Sequence, residues 1–473
     1  MTPGVPPTAG RQGRRKLDRS IVDGPIGAAV WKIAWPTVLQ NAIGGLQGII
    51  DHAMVGHYVG FTGNAAIGVS WQIFLVVIVF ISSLFTGMGV LVARFAGAND
   101  HDKVNRTVYQ AFLTAFGLSV FILAPIGFFA APWLLEMINA TPEVRAEALP
   151  FLRTMFLFSI GMLMFFMLSG ALRAAGDART GLYIGAGMTV LNITLNVILI
   201  RGAGPIPAFG TQGAAMGTVI ASATVSSIAL WLILKDKLVI HFPRGMSWKP
   251  DWVIIRQLFK FGLPTGIQGV AMNIAGVLLL RFMGSLPHSA ETQAAYAVGY
   301  AELFSLITWT SVGLMGAAAT VAGQNLGAGH PDRSERAVHL AARVGLCVAA
   351  FVGGLFLLIP DRLLAVFGLT DPEVVRLGTQ LLRFLSVSGL FVTVALTYTG
   401  GLQGTGDTRS PLVITLISQV LVPLGILFTA QAFFTLHSTT VWSAILAGHF
   451  TRCVLSVARF QQGRWRHIAV DMR

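Results

Sequence analysis

Long apolar runs separated by short polar connections set the plan of the chain. About twelve can be drawn, from 31–56 at one end to 439–459 at the other, each long enough to cross a bilayer as a helix. Hydrophobicity is continuous within a run and does not alternate, which predicts helices and not the strands of a barrel. The second run (65–93) and the eighth (292–322) exceed what a bilayer needs and are expected to tilt or run past it. One run carries a polar stripe. In AWPTVLQNAIGGLQGIIDHAM, residues 34–54, Gln40, Gly44, Gln47 and Asp51 stand four, three and four apart and share one helical face. The other faces are Val, Leu and Ile and can meet lipid. A carboxylate against lipid is costly, so Asp51 is expected to face the bundle interior or a watery cavity. It lies 15 residues past Pro36, or about 22 Å along the axis, in the outer half of the span. The competing reading is a wet, idle helix end.

Composition narrows the class. The chain of 473 residues is 54% hydrophobic and 11% charged, with a mean hydropathy of +0.71. Soluble domains carry about 25% charged residues. The net charge of +13 does not point to nucleic acid, because Lys and Arg cluster between the spans. Even-numbered connections hold Arg94, Lys103, Arg106, Arg173 and Arg179, while odd ones hold Glu136, Glu143, Glu147 and Glu291. That bias predicts a multi-pass protein of a bacterial-type inner (plasma) membrane with both termini cytoplasmic. Cys347 and Cys453 fall inside apolar runs and form neither a disulfide framework nor a metal pattern. Residues 1–25 read as a disordered basic tail and not a signal peptide, and 461–473 as a second basic tail.

The chain repeats itself. SGALRAAGDART at 169–180 is echoed by TGGLQGTGDTRS at 399–410, and Pro142, Leu172, Gly176, Asp177 and Arg179 recur 230 residues on. ARFAGANDHDK at 93–103 falls against GQNLGAGHPDR at 323–333 with the same offset; Pro36, Thr37 and Gln40 recur as Pro264, Thr265 and Gln268 after 228. Such an offset holds six spans, so both halves start on one side of the membrane. The predicted fold is all-α: twelve transmembrane helices in two six-helix lobes, 26–234 and 257–460, joined by a cytoplasmic linker at 235–256. Parallel repeats of this kind are typical of secondary transporters, with the solute site between the halves.

On these motifs the sequence resembles the multidrug and toxic compound extrusion (MATE) family. WPTVLQN and IIDHAMVG in the first span, the two repeated loop pairs, and LNITLNVILI followed by GTQGAAMGTVIAS carry the resemblance from about residue 27 onward. It implies a V of two lobes, alternating access, and cation-coupled export of amphipathic, often cationic, compounds. It places Asp51 on the family's first-span acid, Pro36 on its bend proline, and Asn192 and Asn196 on the fifth-span pair beside the acid. Sodium-coupled relatives carry acids where this chain has Met272 and Val392, so the coupling chemistry looks confined to the N-terminal lobe. That is closest to the branch of the DNA-damage-inducible protein F (DinF), which is associated with proton coupling.

The residues support that reading independently. A carboxylate in a partly dry cavity can alternate between protonated and ionised states, and Asn192 and Asn196, one turn apart, can hydrogen-bond either. Gln40, Asn41 and Gln47 extend the lining. In the second lobe Gln268, Met272, Asn273 and Glu302 are cavity candidates, against interhelical bonding for the amides and an Arg281 ion pair for Glu302. Thr218 and Ser222 are read as packing residues. The aromatics Trp71, Phe165 and Phe166 and Met162 suit a promiscuous wall. His52 and His57 are expected at the outer interface, and His449 and Arg452 near the cytoplasmic end of the twelfth span.

The expected function is therefore a proton-coupled efflux antiporter for amphipathic organic cations, working as a monomer in the bilayer, with no cofactor and no nucleic-acid partner. The GDxR loops fit helix-connecting turns, and no nucleotide motif is present. Na⁺ coupling at Asp51 is the first alternative, set behind H⁺ because the site has one carboxylate. A lipid-linked precursor flippase is the second, disfavoured by central spans poor in Arg and Lys. An intramembrane enzyme would need a nucleophile–base pair, paired acids or a metal set inside the spans, and none is apparent.

Overall fold

In the computed structural model the described residues are 17–470, except 139, 244, 248 and 370 and the side chains of Phe61 and Ser82. They form helices throughout, in two lobes. The first lobe contains Ile26–Tyr58, Phe61–Gly97, His101–Met137, the pair Pro142–Leu157 and Ser159–Ala174, Ala178–Arg201 and Gly210–Leu234. The second contains Trp252–Gly284, Ser289–Gly327, Pro331–Leu358, Pro372–Thr405, Arg409–Phe433 and Ser438–Gln461. These are the twelve spans expected, with a short helix, Pro360–Val366, between the ninth and tenth. Among the described residues ten helices are long and apolar enough to cross a membrane, and the bent fourth pair makes eleven. The first span falls short of that test because its amides and glycines dilute its hydropathy, which is itself a sign of a helix facing water on one side.

The repeated loops have one physical explanation. Gly176 and Gly406 adopt φ of +98° and +102°, a region that side chains avoid. Each closes a helix and is followed by an aspartate that caps the next: Asp177 accepts from Thr180 N at 3.2 Å, Asp407 from Ser410 N at 3.1 Å. Glycine-aspartate is therefore a stop followed by a start. Asn99 and Gly329, also one repeat apart, share a left-handed φ of 59° and 81°.

The lobes meet along the first and second spans of one and the seventh and eighth of the other. The contact is closest at the end where both termini lie. A Cβ on Gly97 would stand 1.9 Å from Gln324 O, and one on Gly327 would stand 2.0 Å from Arg94 O. These two glycines are repeat mates, so the second and eighth spans cross backbone to backbone by a local two-fold. A shared core seals this end: Ile33, Ala317, Val321, Phe460 and Trp465 are buried together. The interlobe approaches continue as far as Gly45, where a Cβ would stand 2.2 Å from the Trp309 ring, while Gly44, Gly48 and Gly276 face open space. The molecule is thus a V, shut at the terminal end.

The expectation of disordered tails changes for the described residues. Residues 17–25 are not disordered: Ser20–Asp23 is a helical turn with Ile21 and Val22 buried. Asn325 donates to Ile21 O at 3.3 Å, Arg333 to Gly24 O at 2.6 Å and Arg19 to Gly97 O at 3.1 Å. Asp18 pairs with Lys32. Its burial raises the carboxyl's pKa, but the hydrogen bonds from Lys32 and Ser20 outweigh that and hold it below the usual range. At the other end Trp465 is buried, Arg94 donates to Ile468 O at 2.6 Å, and Arg466 pairs with Asp332 and Glu335. Apolar side chains hidden among the basic ones explain the order; residues 1–16 and 471–473 lie outside the described residues. The linker, apart from residues 244 and 248, which are also outside, packs on the third span. Leu238, Val239, Ile240 and Phe242 are buried, and His241 N donates to Asn105 Oδ1 at 3.0 Å.

Candidate functional site

The first span is one unbroken helix from Ile26 to Tyr58. Pro36 stands inside it, buried, and Thr37 Oγ1 donates to Ile33 O at 2.7 Å one turn back. The helix runs unbroken through the proline, which removes one ladder donor. Its polar stripe faces a cavity of about 480 Å³ in the first lobe, lined by Gln40, Asn41, Gln47 and Asp51.

Asp51 and the fifth span form the focus. Asn196 Nδ2 donates to Asp51 Oδ1 at 2.7 Å. Asn192, with its amide nitrogen toward the carboxylate, stands 3.1 Å from Asp51 Oδ1, and its oxygen accepts from the Thr218 hydroxyl at 3.0 Å and backbone N–H at 3.2 Å. Both asparagines are fully buried. Gln47 also hydrogen-bonds the carboxylate, and its own oxygen accepts from Thr189 Oγ1 at 2.8 Å. Gln40 donates to Ser169 Oγ at 2.7 Å. Gln40, Gln47 and Asn192 are thus held by the fourth, fifth and sixth spans in turn, and Gln47, Asn192 and Asn196 converge on one carboxylate. Asn196 Oδ1 is buried and accepts no hydrogen bond.

The fourth span makes the apolar wall. It is bent by 54° between Leu157 and Ser159, where Phe158 leaves helical geometry (φ −109°, ψ 22°). Past the break Met162, Phe165, Phe166 and Ser169 line the cavity, opposite Trp71.

Several expectations do not hold in the second lobe. Gln268 is buried and donates to Thr415 Oγ1 at 2.9 Å, an interhelical bond within the lobe. Asn273 donates to Gly269 O of its own helix at 2.9 Å. Met272 is exposed, and Glu302 is half-buried on a π-helical turn, Ala297–Leu303. None of these four lines the cavity that holds Asp51, so they are not brought together with it. Among the described residues no ion pair joins Glu302 to Arg281. His449 is not near the end of its helix: Ser438–Gln461 puts it mid-span, stacked on Phe304 at 5.8 Å, with Arg452 one turn on and equally buried.

The sequence reading did not place His52, Ser169, Arg173, Thr189 or Thr218 in the cavity wall. His52 borders it, with Nδ1 2.6 Å from Asn64 Oδ1. It was assigned to the interface because it follows Asp51 directly. Thr189 and Thr218 are hydroxyls on small-residue faces, which read as packing; Ser222, which does bond only its own helix through Val219 O, shows why that reading is the default. Arg173 was counted among the loop cations, but its side chain lines the cavity floor.

Comparison with known proteins places this geometry. The model of the MatE family matches residues 36–198 and 264–428, one segment in each lobe. The probable multidrug resistance protein NorM of Thermotoga maritima is 26% identical over 446 residues, covering 93% of this chain and 94% of that one. The multidrug resistance protein MdtK of Pectobacterium atrosepticum is 26% identical over 398 residues, covering 82% and 83%. Among solved structures, an outward-facing multidrug resistance MATE family transporter of the MOP superfamily superposes with a TM-score of 0.86 at 20% identity, covering 96% of this chain and 98% of its own. A MOP superfamily transporter from Pyrococcus furiosus, described by the reverse polarity of its binding pocket, also reaches 0.86 at 20% identity, covering 96% and 100%.

Proposed function

The chain belongs to the MatE family, and from that premise we propose that it exports amphipathic organic cations in exchange for protons, with Asp51 as the coupling group. It is a multi-pass membrane transporter and not an enzyme. The direction, the ion and the residues are the proposal.

One observation carries it: the sole carboxylate lining the cavity is ringed by amides that can serve both of its protonation states. Ionised, Asp51 receives the Asn196 and Asn192 nitrogens and attracts a cationic solute through the amide wall. Protonated, it loses its charge, and its hydroxyl can bond the Asn196 oxygen that now has no donor. The Coulomb attraction to the solute then vanishes, and the solute leaves toward the open end of the V. The basic connections and both termini lie at the shut end, which by the loop-charge bias is the cytoplasmic side of an inner membrane. The state is then outward-open, with proton entry and solute exit on one face.

Na⁺ is the second reading, favoured by the same orphan oxygen: Asp51, Asn196 Oδ1 and the Thr218 hydroxyl are hard oxygen donors. Reconstitution in liposomes with separately imposed H⁺ and Na⁺ gradients distinguishes the two. Dye movement driven by the pH gradient alone, and lost in Asp51→Asn, is the expected result. Movement driven only by Na⁺ makes the second reading correct, and undiminished proton-driven movement in Asp51→Asn removes this residue from the mechanism.

A further inference from the structure

The proposed coupling uses one end of the cavity. The other end holds a cation that makes no ion pair among the described residues. Arg173 sits in the last turn of the helix Ser159–Ala174, and its side chain lines both the Asp51 cavity and a second cavity of about 400 Å³ between the lobes. Side chains on a helix lean toward its N-terminus, so a residue at the closed end projects back into the cleft. Its position is fixed by a neighbour: a Cβ on Gly316 would stand 3.4 Å from Arg173 Nε and 3.5 Å from Thr37 Cγ2. The guanidinium therefore lies at the level of Thr37, 14 residues before Asp51 on the same span, or about 21 Å along the axis. Among the described residues no carboxylate lies within ion-pair distance of it, whereas Arg94, Arg459 and Arg466 at the same end all hold protein acceptors. Its repeat mate, 230 residues on, is the neutral Gln403, which faces it across the interlobe cavity.

A guanidinium keeps its charge at any physiological pH and presents a flat fork of donors suited to a carboxylate or phosphate. Half-buried and without an ion pair among the described residues it is costly, and a ligand anion would reduce that cost. We propose that Arg173 is a specificity-determining residue of the solute site, which takes dipolar amphiphiles: the anionic end on Arg173, the ring system against Phe165, Phe166 and Met162, and the cationic end pointing up the amide wall toward Asp51. This rests on reading the cleft as the solute path. It adds that a pure cation uses only half of the site.

The test uses two xanthene dyes that share one delocalised cation, the first with a free carboxylate and the second its ethyl ester. Binding is read by fluorescence anisotropy with the full chain in lipid nanodiscs, without any gradient. A charge-assisted bond of this kind is worth about tenfold or more in affinity. The free acid is expected to bind about tenfold tighter than the ester. Arg173→Gln, which installs the residue of the other repeat, should abolish that preference by weakening the acid alone, and Arg173→Lys should keep part of it. Equal affinity of the two dyes for the wild type overturns the proposal, and so does an Arg173→Gln variant that weakens both equally. Because no gradient is present, failure of proton coupling would show only in the liposome experiment and leave this result untouched.

Discussion

The two lobes share a fold and a motif set and have opposite interiors. In the first, Gln40 borders an open cavity while its nitrogen bonds Ser169, and Gln47 continues the polar stripe to Asp51. In the second, the repeat mate Gln268 is spent on Thr415, and the position 228 residues after Asp51 is Leu279, a core residue. Where the first lobe has a polar gap, the second has rings: Tyr296 stacks on Tyr300 at 4.9 Å and on Trp442 at 6.3 Å, and His449 on Phe304. A duplicated six-helix unit has thus kept its joints in both copies and a carboxylate-lined cavity in one. Duplication preserves the turns because they are backbone geometry, while side chains inside each bundle are free to diverge.

Breaking that asymmetry should produce effects of graded size. The largest is expected at the carboxylate: Asp51→Asn should reduce gradient-driven dye movement in liposomes to the level of protein-free vesicles. Glu302→Gln, the second lobe's half-buried acid, should leave it within about twofold. If Glu302→Gln is as damaging, the chemistry is shared and the contrast between lobes fails. Next comes the backbone crossing. Gly97→Val or Gly327→Val puts side-chain atoms into a carbonyl, and should cost about 1–3 kcal/mol in thermal unfolding. Either should also widen the terminal end in spin-label distance measurements, equally for the two mates if the local two-fold is real.

A smaller, one-sided effect is expected from Gly217→Ala. Its Cβ would stand 1.9 Å from Asn196 Oδ1, displacing the amide that holds Asp51. Proton-driven transport should fall several-fold while the melting temperature changes little. Gln268→Ala should do the reverse, losing about 0.5–1.5 kcal/mol of stability with the broken bond to Thr415 and leaving dye affinity unchanged in a binding assay. The smallest effect concerns Asp18, whose pKa is depressed by Lys32 and Ser20 against the cost of burial. A depressed carboxylate contributes stability above its unfolded pKa of about 3.9. The wild type should therefore melt slightly above Asp18→Asn at neutral pH, and the margin should close as pH falls through the folded pKa.

Much of this was legible from the amino acids. The spans and the repeat follow from continuous hydrophobicity and from loop motifs that must recur because the turns recur. Asp51, Gln40, Gln47 and the Asn192–Asn196 pair could be placed because helical periodicity aligns them on one face. What periodicity cannot say is which face meets a gap. Gln268 has the same spacing from its proline as Gln40, and each donates to a hydroxyl on a neighbouring helix, yet only Gln40 also borders the cavity that holds Asp51. Arg173 sits where a basic residue normally anchors a span in the headgroups, and only the lean of its side chain turns it inward. The ordered tails were hidden because Ile21, Val22 and Trp465 are few among many charges, and burying them needs the groove between lobes that no local window contains.

That groove has a practical consequence. Arg19, Arg333 and Asn325 tie the leading segment to both lobes, and Arg94 and Arg466 tie the trailing one. In an alternating-access cycle the shut end must part, and both ends of the polypeptide then have to let go. A purification tag or fluorescent fusion on either end is attached to a clasp, and would bias the resting state of the transporter being measured.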